Sequence, residues 1–190
     1  PDLLLTSIEN LPERPFDAVI VDEGQDLDPE WWYHLESLLK SEEHGWFWIF
    51  RDTAQNLYGR EPALPTDMST YSLDQNVRNT KNIHDAAAPF ALGDPGYSTG
   101  LEGPLVRYEL ATTKSAVKTV VGRVLHKLIA DGGLTREEII ILTGSSVRNS
   151  SLSVPGKVGA FDLKPYGSEG TAIEVDSIWR FKGLERSVVI

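Results

Sequence analysis

Short, wholly apolar runs separated by segments of helical period constrain this chain more than any other feature of its sequence. The run FDAVIVD, residues 16 to 22, shows no polar alternation. It therefore suits a parallel strand covered on both faces, because a half-solvated strand would alternate. PEWWYHLESLLK follows, with Pro29 placed for a first helical turn and Trp32, Leu35, Leu38 and Leu39 near one face. WFWIF, residues 46 to 50, is the next expected strand. Strand, helix and strand in this order form the repeating unit of an α/β sheet.

Beyond Pro62 and Pro65, TYSL is expected as a short strand, and Thr80 as the cap of a helix bearing Ile83, Ala87 and Phe90. The segment GDPGYSTGLEGP, residues 93 to 104, concentrates glycine and proline and is expected to divide residues 1–92 from residues 105–190. LVRYEL then reads as a strand, and residues 113 to 130 repeat Val, Leu and Ile at helical spacing until Asp131, Gly132 and Gly133 end the pattern. TREE, residues 135 to 138, has capping-box spacing and leaves room for one turn before the strand IIILT. Residues 144 to 170, rich in Ser, Gly and Pro, are expected to loop. TAIEVDSI and the last run SVVI complete a second α/β set.

The 190 residues suffice for one ordinary domain or two small lobes. With no cysteine, the chain has neither a disulfide framework nor thiolate metal sites. A formal charge of -10 argues against a generally basic nucleic-acid-binding surface while allowing a local basic groove. The four histidines stand far apart without ligand spacing and are expected not to bind metal. No apolar run approaches the ~18 residues that span a bilayer, and no signal peptide is recognisable, so a cytoplasmic protein without membrane association is expected. A start without Met and a last residue inside a strand-like run suggest a piece of a longer protein.

The carboxylates Asp22 and Glu23 close the first apolar run. Taken alone, such a dipeptide is more commonly a strand followed by a solvated turn. The longer string DEGQD, however, resembles the DExQD form of motif II in the UvrD-like superfamily 1 helicases. WIFRDTAQNLYGR, residues 48 to 60, resembles their motif III. LDQNVRNTKNI, residues 73 to 83, resembles motif IV with its N-x-R-[NS]-T core, and VDSIWRFKGLERSVVI, residues 175 to 190, resembles motif V. The four stand in the family's order across nearly the whole chain.

This resemblance implies a RecA-like P-loop NTPase fold of α/β class, with parts of two RecA-like domains and mainly parallel sheets. Residues 1–92 would be the latter part of the first domain, 93–104 a linker, and 105–190 the early part of the second. It also implies ATP and Mg²⁺, and a helicase or translocase that moves on single-stranded DNA, with RNA as the other track. Asp22 would hold the metal and Glu23 would act as base toward the attacking water. Gln55 would sense the γ-phosphate and that water, and Arg78 would meet the charge developing on the γ-phosphate. Gly183, through its backbone, and Glu185 would approach the nucleotide from the second domain. Tyr58 would meet the nucleic acid with its ring, and Arg180 and Lys182 would contact its phosphates.

The departures carry implications of their own. Arg51-Asp52 replaces the usual Gly-Asp of motif III, Arg60 replaces an aromatic, and Trp179 stands where the family often has His. No G-x-x-x-x-G-K-[ST] and no motif VI arginine occur in the 190 residues, so the chain by itself is expected not to hydrolyse ATP. A non-hydrolysing, helicase-like scaffold for nucleic acid or protein partners is the alternative. The short interval between motifs IV and V implies a compact core without a large inserted subdomain. Trp31, Trp32, Trp46 and Trp48 are expected to be packing residues.

Overall fold

A computed structural model describes residues 2–10, 16–41, 44–52, 55, 64–65, 68–91 and 93–190. In its first unit, residues 1–106, helix α1 spans Asp2–Glu9 and strand β1 spans Ala18–Val21. Helix α2, Glu30–Glu36, connects β1 to strand β2, Trp46–Ile49. The two strands run parallel in register, Ala18 opposite Trp46 and Val21 opposite Ile49. Phe16 and Leu39 add a parallel bridge before the strand. Apolar spacing in the helix carries Trp32 onto the sheet, where it is buried edge-on to Phe47 with ring centroids 6.5 Å apart.

The opposite face of this sheet differs from expectation. Trp46 and Trp48 are 63% and 44% exposed and Ile20 is 68% exposed, so the two tryptophans do not serve as core packing. They stack on each other, with centroids 6.3 Å apart and planes 12° from parallel. The reason is layer geometry: residues two apart on a strand share a face, and α2 covers the face of Phe47 and Ile49.

A second parallel pair joins β3, Gln75–Asn76, to β4, Tyr97–Ser98, with helix α3, Lys81–Ala87, between them. TYSL is therefore not the strand; pairing begins with the polar residues that follow it. Gly96, at φ 67°, lets the chain approach this point, since a Cβ there would lie 2.0 Å from the Asp74 carbonyl oxygen. The segment 93–104 thus contributes β4 to the first unit, and its Leu101 and Glu102 carbonyls accept the N–H groups of Lys81 and Asn82. Thr80 occupies the N-cap of α3, but its side chain accepts no capping bond.

In the second unit, residues 107–190, helix α4 spans Lys114–His126 and ends in a π-helical turn, Lys127–Asp131. The Thr113 hydroxyl caps α4 by accepting from the Ala116 N–H at 3.1 Å. Strand β5 spans Ile139–Thr143, β6 Gly156–Val158, β7 Phe161–Pro165, β8 Ile173–Ser177 and β9 Val188–Val189. They form one sheet in the order β6-β7-β8-β5-β9, parallel except for the β6-β7 hairpin. Val121 and Leu125 of α4 pack into a core with Ile139, Ile141, Ile173 and Val175. The capping box at Thr135 and Glu138 forms as expected, around a single 3-10 turn that leads into β5.

Two expectations fail within residues 105–190. Residues 144–170 contain the β6-β7 hairpin, and LVRYEL forms no strand, leaving Tyr108 and Leu110 exposed. Strand-forming residues need a ladder partner, and LVRYEL has none among the described residues. No helix among the described residues is long and apolar enough to cross a membrane.

Candidate functional site

Where β1 ends, the backbone turns sharply. Glu23 adopts φ 55° and ψ 38°, the left-handed region, and it is the sole non-glycine residue with positive φ among the described residues. A 3-10 turn, Gly24–Asp26, follows and is tied to the end of β2: the Gly24 N–H donates to the Phe50 carbonyl at 2.9 Å, and the Phe50 N–H to the Val21 carbonyl at 2.8 Å. Glycine is required here by packing, because a Cβ on Gly24 would lie 2.5 Å from Ile49 Cγ2.

This turn aligns a string of polar side chains. The Glu23 N–H donates to Asp22 Oδ1 at 2.9 Å. Gln25, only 1% exposed, donates from Nε2 to Glu23 Oε2 at 2.5 Å. Its Oε1 accepts the Asp52 N–H at 3.0 Å, and the Asp52 carboxylate accepts from Gln55 Nε2 at 2.7 Å. One hydrogen-bonded path therefore joins the carboxylates after β1 to the polar residues after β2. It lies beyond the C-terminal ends of two parallel strands, the place where open α/β sheets bind ligands. Asp22, Asp52 and Gln55 are exposed and Glu23 is half-buried, while the buried Gln25 anchors the set.

Arg78 is exposed in the bend after β3. Asn76 shapes that bend: its Oδ1 accepts the Asn79 N–H at 3.1 Å, and its Nδ2 lies 3.3 Å from Nδ1 of the buried His84. Tyr58 and Arg60 lie outside the described residues.

In the second unit, the loop between β8 and β9 carries Arg180, Lys182, Gly183 and Glu185. It is anchored by Phe181, which is buried edge-on to Tyr166 at 5.6 Å between centroids, and by the Ser177 carbonyl, which accepts the Phe181 N–H at 3.1 Å. Gly183 takes φ 78°, a conformation side chains rarely adopt, and thereby turns the loop toward β9. Arg180 and Glu185 are exposed and Lys182 is half-buried. Trp179 is 44% exposed.

Two residues escaped the sequence reading. Gln25 is a letter of the DEGQD string to which the sequence alone assigns no role, although a polar residue inside a five-residue motif is the available signal. Asp176, 1% exposed at the end of β8, accepts the Ser177 N–H at 2.7 Å and stands 3.8 Å from Arg180 Nε. Like Asp22, it is a carboxylate at the C-terminal end of a parallel strand. Its signal was an acidic residue inside the run TAIEVDSI.

Among the described residues, no three His, Asp or Glu side chains gather as a self-sufficient metal site. Mg²⁺ needs none, since it is commonly held by one or two carboxylates with waters and substrate phosphates, and the exposed Asp22 fits that use. The chain matches no protein-family model, and no curated protein matches it.

Proposed function

We propose that this chain carries part of the ATP-hydrolysing core of a UvrD-like superfamily 1 helicase or translocase, built on RecA-like domains and acting on single-stranded DNA or RNA. The observation that supports it most is the path from Glu23 through Gln25 and Asp52 to Gln55. It couples a catalytic carboxylate to the residue that would report on the γ-phosphate.

In this reading, Asp22 helps hold Mg²⁺, which neutralises phosphate charge when bound. Glu23 accepts the proton of the attacking water, and the Gln25 amide fixes the direction of its carboxylate. Gln55 orients that water, and Arg78 offsets the negative charge that develops on the phosphoryl oxygens. The same family resemblance assigns Gly183 and Glu185, in the loop between β8 and β9, to the nucleotide. Arg180 and Lys182, with Tyr58, serve the nucleic acid.

The decisive measurement is ATP turnover by a polypeptide that holds these residues together with a phosphate-binding loop, with and without single-stranded DNA or RNA. Turnover should be stimulated by one nucleic acid and fall about 100-fold or more in Glu23→Gln. Equal turnover in the variant would refute the role of Glu23. Absence of turnover under every condition would leave the non-hydrolysing scaffold in its place. The 190 residues alone are expected to show no hydrolysis, because they contain no phosphate-binding loop.

A further inference from the structure

The charge of this chain is divided unevenly. Residues 1–106 hold six Lys and Arg against nineteen Asp and Glu, a formal -13, whereas residues 107–190 hold twelve against nine, a formal +3. Within the second unit, a shallow cavity of about 410 Å³, open to solvent, lies between α4 and the β6-β7 hairpin. Its lining includes Ser115, Lys118, Thr119, Arg123 and Lys157, with no acidic residue. Gly122 and Gly159 bring helix and hairpin together there, because a Cβ on Gly122 would lie 3.3 Å from the Gly159 nitrogen.

The state of the three cations matters. The Lys118 ammonium donates to Ser153 Oγ at 2.9 Å, a neutral acceptor, and pairs with no carboxylate among the described residues. Arg123 pairs with Glu109 at 2.7 Å and Lys157 with Asp162 at 3.3 Å. Both pairs are more than 40% exposed at each partner, so they are weak and open to exchange with a stronger anion. Their acidic members stand outside the lining. A phosphoryl group, with several charge-bearing oxygens, accepts strong charge-assisted hydrogen bonds from a guanidinium or an ammonium group.

We infer that the cavity between α4 and the β6-β7 hairpin is a binding site for a phosphoryl group, supplied by a nucleic-acid backbone or by a small phosphate compound. The site is built wholly from residues of the second unit and does not depend on nucleotide hydrolysis.

The test is an amide ¹H–¹⁵N titration of the whole chain with pyrophosphate and, separately, with a single-stranded oligothymidylate, following Lys118, Gly122 and Gly159. Both probes should shift these amides. Lys118→Ala with Lys157→Ala should weaken oligonucleotide binding roughly tenfold and reduce the slope of log K against log salt by about 1.4, two contacts' worth. Asp162→Asn, which releases Lys157, should tighten binding. It also gives a second readout of opposite sign should the double variant fold poorly. Tighter binding of the oligonucleotide would assign the site to the backbone, and a response to pyrophosphate alone would assign it to a small phosphate. Absence of shifts with either probe at millimolar concentration, or an unchanged response in the variants, would overturn the inference.

Discussion

Gln25 offers the sharpest test of the acidic turn. Its buried amide donates to Glu23 Oε2 at 2.5 Å and accepts from the Asp52 N–H at 3.0 Å. Gln25→Ala removes a hydrogen bond to a charged group, worth about 1.5–3 kcal/mol, and a neutral one worth about 1 kcal/mol. It also loses one buried methylene, about 0.8 kcal/mol. Allowing for partial relaxation, the first unit should lose about 3 kcal/mol. Gln25→Glu keeps the volume and the acceptor for Asp52 but places two carboxylates against each other. Its penalty should be comparable near neutral pH and should fade in acid, where the introduced carboxyl can take up a proton. Urea unfolding followed by tryptophan fluorescence suits the question, because Trp31, Trp32, Trp46 and Trp48 all belong to the first unit. Losses below about 0.5 kcal/mol in both variants, or a pH-independent penalty in Gln25→Glu, would refute the assigned geometry.

The second unit should respond to acid through Glu174. Burial pushes its carboxyl up, but the Arg186 hydrogen bond, the Gly167 N–H and the charges of Arg186 and Lys164 together outweigh this and hold it below the ordinary Glu range. Because the folded value is depressed, the stability it contributes is present above the ordinary Glu range and is lost as pH falls through the folded value. Hydrogen exchange of the β5 and β8 amides should therefore separate wild type from Glu174→Gln at neutral pH and converge in acid; equal protection throughout would contradict the assignment. Gly24→Ala should destabilise the first unit by about 1–3 kcal/mol, since its methyl group would press on Ile49 Cγ2. An unchanged urea midpoint would show that the turn can move away from β2.

Elements with a partner strand or a local cap were readable from sequence, although the sheet of β1 and β2 is covered on one face rather than two. FDAVIVD and WFWIF became β1 and β2, and the Thr135 capping box appeared where its spacing placed it. LVRYEL failed because strand propensity is expressed only against a neighbouring strand, whereas β3 formed at polar residues that had one. The β6-β7 hairpin was hidden by Ser, Gly and Pro around it, since its inward residues Val158, Phe161 and Leu163 are too few to make a visible pattern. At the candidate site, Asp22, Glu23 and Gln55 stood out as motif letters. Gln25 is a letter of the same motif yet carries no legible role, because holding other groups in place leaves no chemical signature, and burial of an amide is visible only once the turn has formed.

The left-handed backbone at Glu23 sets fold against the chemistry proposed for that residue. A side chain with a Cβ is strained at φ 55°, and glycine or asparagine would occupy the position more easily. Either replacement would relax the turn and discard the carboxylate that Gln25 holds. Variants selected only for heat resistance would therefore be expected to drift away from glutamate at this position, and a library screened for stability alone would enrich for molecules that have lost the acid.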